Sequence, residues 1–423
     1  MVTKYKGLTL LLAAVMIAVF LIAIPAMAAA ADFDAAETVN VYDENGDIVG
    51  MNSFNGALGM VGEWYTIELL TDLSDSGAPI VVDQWITIEL GGHSLTNTNS
   101  GGVALETFSH EVEVFGPGTL TLVGDVVGTW TAFSIDKGVT ASITGSVTGD
   151  ATADFVVVVI ESELTITGNV YAPHLDPDAG DEVSAVVCDA GSVEILGNIE
   201  SAGRGLFVGG GGSGLVTGTI NSGGEALMAW QEGTTIRLNG DANSGSHGVL
   251  AFDDATVNLY GNLQSDGIGI VCWNGSNVYV AGNVVAAGEY GVWCEVGQQD
   301  GVRVYGSEVT IDGTLTVTGP GSVFIYVGGV DKTAAEHDAT TIKAGYTQWS
   351  DTQTFVDYDP ATSYVWIKYE EPTPPIPPVP PTPDPVDPVL PPTGDMTSMV
   401  SIGIAVLASA LGIGFGELGK RRH

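Results

Sequence analysis

The chain has 423 residues, with 12 Lys+Arg against 51 Asp+Glu and a formal net charge of −39. A surface so acidic repels nucleic acid and other anionic polymers, which excludes a phosphate-tracking role. Cys188, Cys272 and Cys294 form no C-x-x-C and no Cys/His cluster, so zinc and redox chemistry have no footing, while 45% apolar content argues for a folded body.

The chain opens on an export-like segment. Lys4 and Lys6 precede an apolar stretch over residues 8–24, followed by Pro25 and the small-residue site Ala26-Met27-Ala28. This is the order of a secretory signal peptide, expected over residues 1–28. Cleavage is expected after Ala28 or at the neighbouring Ala29, Ala30 or Ala31.

Alternating apolar and polar residues over 64–70, 80–82 and 86–93 predict strands. From about Gly145 to Gly313 the chain then repeats itself. A start of Gly-Asn-Leu type recurs at Gly168, Gly197, Gly218, Gly240, Gly261, Gly282 and Gly313, at intervals of 21, 22, 21 and 21 residues between Gly197 and Gly282. The longer intervals beginning at Gly168 and Gly282 carry insertions, over 172–181 and around 297–305.

Aligned units give columns. Val186, Leu206, Leu227, Val249, Ile270 and Val292 are uniformly aliphatic, and two residues on Cys188, Val208, Ala229, Ala251, Cys272 and Cys294 are uniformly small. A second strand gives pairs such as Ile236/Leu238, Val257/Leu259, Val278/Val280 and Val302/Val304. A unit of about 21 residues cannot bury its own apolar face, but it can when stacked on its neighbours. The expected fold is all-β: a parallel β-helix over 32–321, about ten coils making a rod on the order of 50 Å long.

Residues 322–370, richer in aromatic and polar side chains, are expected to form a cap or small β-domain over the end of the solenoid. Residues 371–389 are proline-rich and predict an extended stalk. Leu390-Pro391-Pro392-Thr393-Gly394 follows directly. Over 395–423 come an apolar run at 399–415, just long enough to approach one bilayer crossing, and the basic cluster Lys420-Arg421-Arg422.

That order resembles the L-P-x-T-G sorting signal of Gram-positive surface proteins. The resemblance implies a sortase as partner, cleavage between Thr393 and Gly394, and covalent transfer of the Thr393 carbonyl to peptidoglycan, with the tail held in the membrane before sorting. The expected location is the cell-wall-anchored outer surface. Processing at both ends would remove five basic and two acidic residues, leaving a net charge near −42. The early strands, for their part, resemble the first turns of pectate-lyase-like right-handed β-helices in bacterial surface proteins.

Catalysis on such a scaffold wants two suitably spaced carboxyls. Asp253-Asp254, with His247 nearby in sequence, is the most tempting pair, but neighbouring strand residues point to opposite faces unless they sit in a turn. His93, His110, His174 and His337 are scattered and suggest no metal site; Gly209–Gly212 lacks the residues of a phosphate or calcium loop, and no cofactor is expected. Cys272 and Cys294 fall on adjacent coils, where stacked side chains seldom reach disulfide torsions, so buried thiols are expected.

One surface stands out. If the small column points inward, Phe207, Met228, Leu250, Val271 and Trp293 point outward, with Trp230, Phe252 and Trp273 at the following corner. Such a patch is a candidate ligand surface for carbohydrate or protein, unless another part of the chain or a neighbouring molecule covers it. The expected function is a non-catalytic adhesive or structural surface protein; the alternative is a wall-displayed polysaccharide-degrading enzyme or carbohydrate-binding module.

Overall fold

The computed structural model describes residues 32–368 apart from 77, 109–111, 130, 151–154, 175–182, 300, 301 and 352–361. It is an all-β solenoid of the right-handed type with coils of 21 or 22 residues through its regular part. Among the described residues the one helix is Phe54–Leu58.

Each regular coil has three short strands. In the first, alternation sends every second side chain inward, and the same strand of the next coil lies beside it in parallel register. Leu206, Leu227, Val249, Ile270 and Val292 are successive partners, as are Val208, Ala229, Ala251, Cys272 and Cys294. All ten are fully buried. Each inward Leu, Ile or Val contributes about 1.5–3 kcal/mol of apolar burial. The other two faces repeat the arrangement with strands such as Thr235–Leu238 and Ala242–Ser244, each bonded to its counterparts one coil away. Twelve strands of the first sheet run parallel, from Tyr65–Leu69 to Val323–Val327. At about 4.8 Å per step this solenoid is on the order of 50 Å long.

The Gly-Asn start of each unit has two physical jobs. A Cβ on Gly261 would lie 2.2 Å from the Gly240 carbonyl oxygen, so only glycine lets the corners stack at strand spacing. Where that side chain is Asn169, Asn198, Asp241, Asn262 or Asn283, it also satisfies a backbone donor of the next coil. Asn262 Oδ1 accepts from the Asn283 amide at 3.0 Å, and Asn283 Oδ1 from the Thr314 amide at 2.9 Å. Corner amides that would otherwise go unpaired are thereby met by a column of side-chain oxygens.

Both ends depart from the coil pattern. Val39–Tyr42 pairs antiparallel with Tyr65–Leu69, and Ile48–Asn52 lies outside it. The helix that follows is capped by Ser53, whose Oγ accepts from the Gly56 amide at 3.1 Å, and Phe54 packs on Phe33 with ring centres 4.9 Å apart. At the other end Val323–Val327 turns back through Gly328-Gly329 into antiparallel Val330–Lys332. Tyr364–Lys368 adds a parallel rung to Glu308–Ile311, with Tyr346–Ser350 antiparallel beyond it.

One strand expectation is corrected. Val302/Val304 do not continue the second-strand column: Val302–Tyr305 pairs antiparallel with Gly297–Gln299 in a separate hairpin. The column passes instead to Val309 and Ile311, the partners of Val278 and Val280. Alternation alone is satisfied by either pairing, so the insertion mimicked a rung.

No helix among the described residues is long and apolar enough to cross a membrane. Ala26 and Ala28 of the signal segment, the stretch 371–389, Leu390, Pro391, Pro392, Thr393 and Gly394, and the tail 395–423 lie outside the described residues.

Candidate functional site

The outward face of the first sheet carries a straight column. Phe207, Met228, Leu250, Val271, Trp293 and Tyr326 are successive register partners, all half-buried. One position past the strand's inner residues, Trp230, Phe252 and Trp273 form a second column along the corner. Trp230 is 44% exposed and Trp273 48%, so their rings face solvent within the described chain. Phe252 lies half-buried between them and meets Trp273 edge-on at 6.2 Å. Trp293 belongs to the central column and clusters with Tyr290 and Tyr326, both at 5.1 Å. A hollow of about 360 Å³ spans this face, lined by Phe252 and Trp273 of the corner column, by Leu250, Val271 and Trp293 of the central column, by Glu225, His247 and Ile268 on the opposite border, and by Glu295.

Left-handed backbone at the corner positions the border groups. Gln231, Asp253, Asp254 and Asn274 have φ of +82°, +59°, +61° and +53°. Asp and Asn tolerate this region because their short polar side chains bond locally. Asp253 and Asp254 therefore sit in a turn, where the opposite-face rule for strands does not apply. Asp253 is held from two sides: Trp230 Nε1 donates to Oδ2 at 2.7 Å and Asn274 Nδ2 to Oδ1 at 2.6 Å. Burial, then the neighbouring carboxylates Glu232 and Asp253, push the Asp254 pKa up.

His247 does not join this pair. It stands on the opposite border, its Nδ1 2.9 Å from Ser246 Oγ and 3.9 Å from Glu225 Oε1. Arg204, one coil before Glu225, approaches the other carboxylate oxygen with Nε at 3.3 Å, and the Glu225 side chain is only 6% exposed. The sequence reading missed this Arg204–Glu225–His247 column. Its signal was available: each residue stands two positions before the aliphatic column, on three successive units.

The cysteines point away from the face. Cys188, Cys272 and Cys294 are free, buried thiols. Burial pushes the Cys188 pKa up to about 11 and that of Cys294 well above its usual value. Among the described residues no cluster of three or more His, Cys, Asp or Glu is placed to hold a metal ion. Comparison with protein-family models, curated proteins and solved structures returns no match.

Proposed function

We propose that this chain is a non-catalytic surface protein, displayed from the cell wall and binding through the outer face of its first sheet. One observation carries the display: an L-P-x-T-G motif at Leu390–Gly394, preceded by a proline-rich stretch and followed by an apolar run and a basic end. On this reading a sortase links Thr393 to peptidoglycan, residues 322–370 cap the rod, residues 371–389 form its stalk, and the signal peptide is lost after Ala28. The half-exposed Trp230 and Trp273 support a binding role, since a soluble rod gains nothing from leaving such area wet unless something meets it.

The competing reading is a polysaccharide-degrading enzyme. What favours it is the Asp253-Asp254 turn that follows Phe252 at the corner, with burial and neighbouring carboxylates shifting the Asp254 carboxyl toward its protonated form. Incubating the purified chain with host, plant and bacterial glycans and assaying both retention and new reducing ends separates the two. Retention without cleavage, weakened by Trp230→Ala or Trp273→Ala, supports the binding reading. Cleavage abolished by Asp254→Asn supports the enzyme.

A further inference from the structure

From the geometry of the first sheet we infer that its outer face takes a neutral, unbranched β-linked polysaccharide lying along the rod axis. This rests on the binding reading above and names its ligand. Trp230, Phe252 and Trp273 are in strict register, so the backbone positions that carry the two exposed indoles stand two coils apart, about 9.6 Å along the axis. That interval matches every second ring of an extended β-linked chain, whose flat C–H faces stack on aromatic rings. The Trp230 indole is held by a hydrogen bond to Asp253, so less of its ring ordering is left to be done on binding.

The platform continues. A hollow of about 260 Å³ on the same sheet is lined by Trp64, Trp85, Thr87, Glu113, Ser134 and Ile160. Trp64 is 58% exposed, and its ring lies 4.5 Å from that of Trp85. Thr87, Glu113, Ser134, Val158, Val187 and Phe207 are successive partners leading to the Leu250 column. Thr87 and Val271 are eight steps apart, about 38 Å. Two aromatic stations on one straight face suit a long linear ligand, and a compact one would use a single hollow.

Charge selects among linear ligands. Lys137, beside the first station, and Arg204, between the two, are each taken by a glutamate, Glu161 at 3.0 Å and Glu225 at 3.3 Å. Glu113, Glu232, Asp253, Asp254 and Glu295 leave the face acidic, so uronate or phosphate polymers are repelled. Carboxylate and amide groups beside the rings accept and donate hydrogen bonds to hydroxyls, as a neutral sugar requires.

The test is fluorescence titration and calorimetry of the full chain. The ligands are neutral β-1,4-linked oligosaccharides of increasing length (glucose, xylose and N-acetylglucosamine series), polygalacturonate and oligolysine. Tryptophan quenching should appear with at least one neutral series and tighten with length. Trp230→Ala and Trp273→Ala should each weaken it about tenfold or more. Trp64→Ala should weaken only chains long enough to span both stations. Thermal melts of the variants verify folding. Equal binding of polygalacturonate, strip-dependent binding of oligolysine in place of sugar, or no response to any neutral series would each overturn the assignment while leaving surface display intact. Binding followed by cleavage would uphold the ligand and end the non-catalytic reading.

Discussion

The indole N–H of Trp230 donates to the Asp253 carboxylate one coil along at 2.7 Å, tying an exposed corner of the sheet to the turn of the next coil. Asn274, a further coil on, donates to the same carboxylate, so three coils are joined through one side chain. Asp253→Ala removes that acceptor and puts alanine at φ +59°, and should cost about 1–2 kcal/mol. Asp253→Asn keeps an acceptor and suits the backbone, so it should cost less than half as much. Urea or thermal unfolding of both variants decides this; equal losses would show that the single acceptor left by Asn does not preserve the tie.

Corner stacking depends on glycine. Gly261→Ala places a methyl 2.2 Å from a neighbouring carbonyl oxygen, whereas Gly50→Ala meets nothing within 4 Å. Overpacking of rigid backbone should destabilise the first by about 1–3 kcal/mol, and the second should stay within about 0.5 kcal/mol. Matching melting temperatures for the two would show that the corners give way freely.

The side-chain oxygen column can be cut at one link. Asn198 Oδ1 accepts from the Thr219 amide at 2.8 Å, and Asn198→Ala leaves that donor to water or to nothing. A loss of about 1 kcal/mol is expected, with faster hydrogen exchange at Thr219 and little change ten residues away. Uniform exchange along the coil would contradict a local role.

Much of this was legible because a solenoid writes its packing into columns. The buried aliphatic and small columns, and the outward Trp230, Phe252 and Trp273, follow from period two and a near-constant repeat. What escaped was anything needing three dimensions at once. Val302 and Val304 alternate as well as a rung does, and only the competing strand at Val309 and Ile311 shows which pairs inside. Glu225 is an isolated carboxylate in sequence; stacking alone brings Arg204 and His247 to it. The glycines read as turn markers, yet the 2.2 Å approach at Gly261 is a matter of coil spacing and has no local signature.

The C-terminal end should respond to alkali. Asp312 accepts from Tyr279 at 2.8 Å and from Tyr346. The bond to Asp312, then burial, pushes the Tyr346 pKa up to about 12. A pKa raised on folding gives stability that is complete below the unfolded value near 10 and disappears as pH rises through about 12. Stability should therefore fall more steeply between pH 10 and 12 in the native chain than in Tyr346→Phe. Parallel curves from stability measurements over that range would contradict it.

Wall display is decided by intact-mass analysis of the protein released from purified cell walls by muralytic digestion. Sorting at Thr393 should yield a chain beginning within residues 29–32 and ending at Thr393, carrying a peptidoglycan fragment. A released chain that still ends in Lys420-Arg421-Arg422, or none in the wall fraction at all, would contradict it.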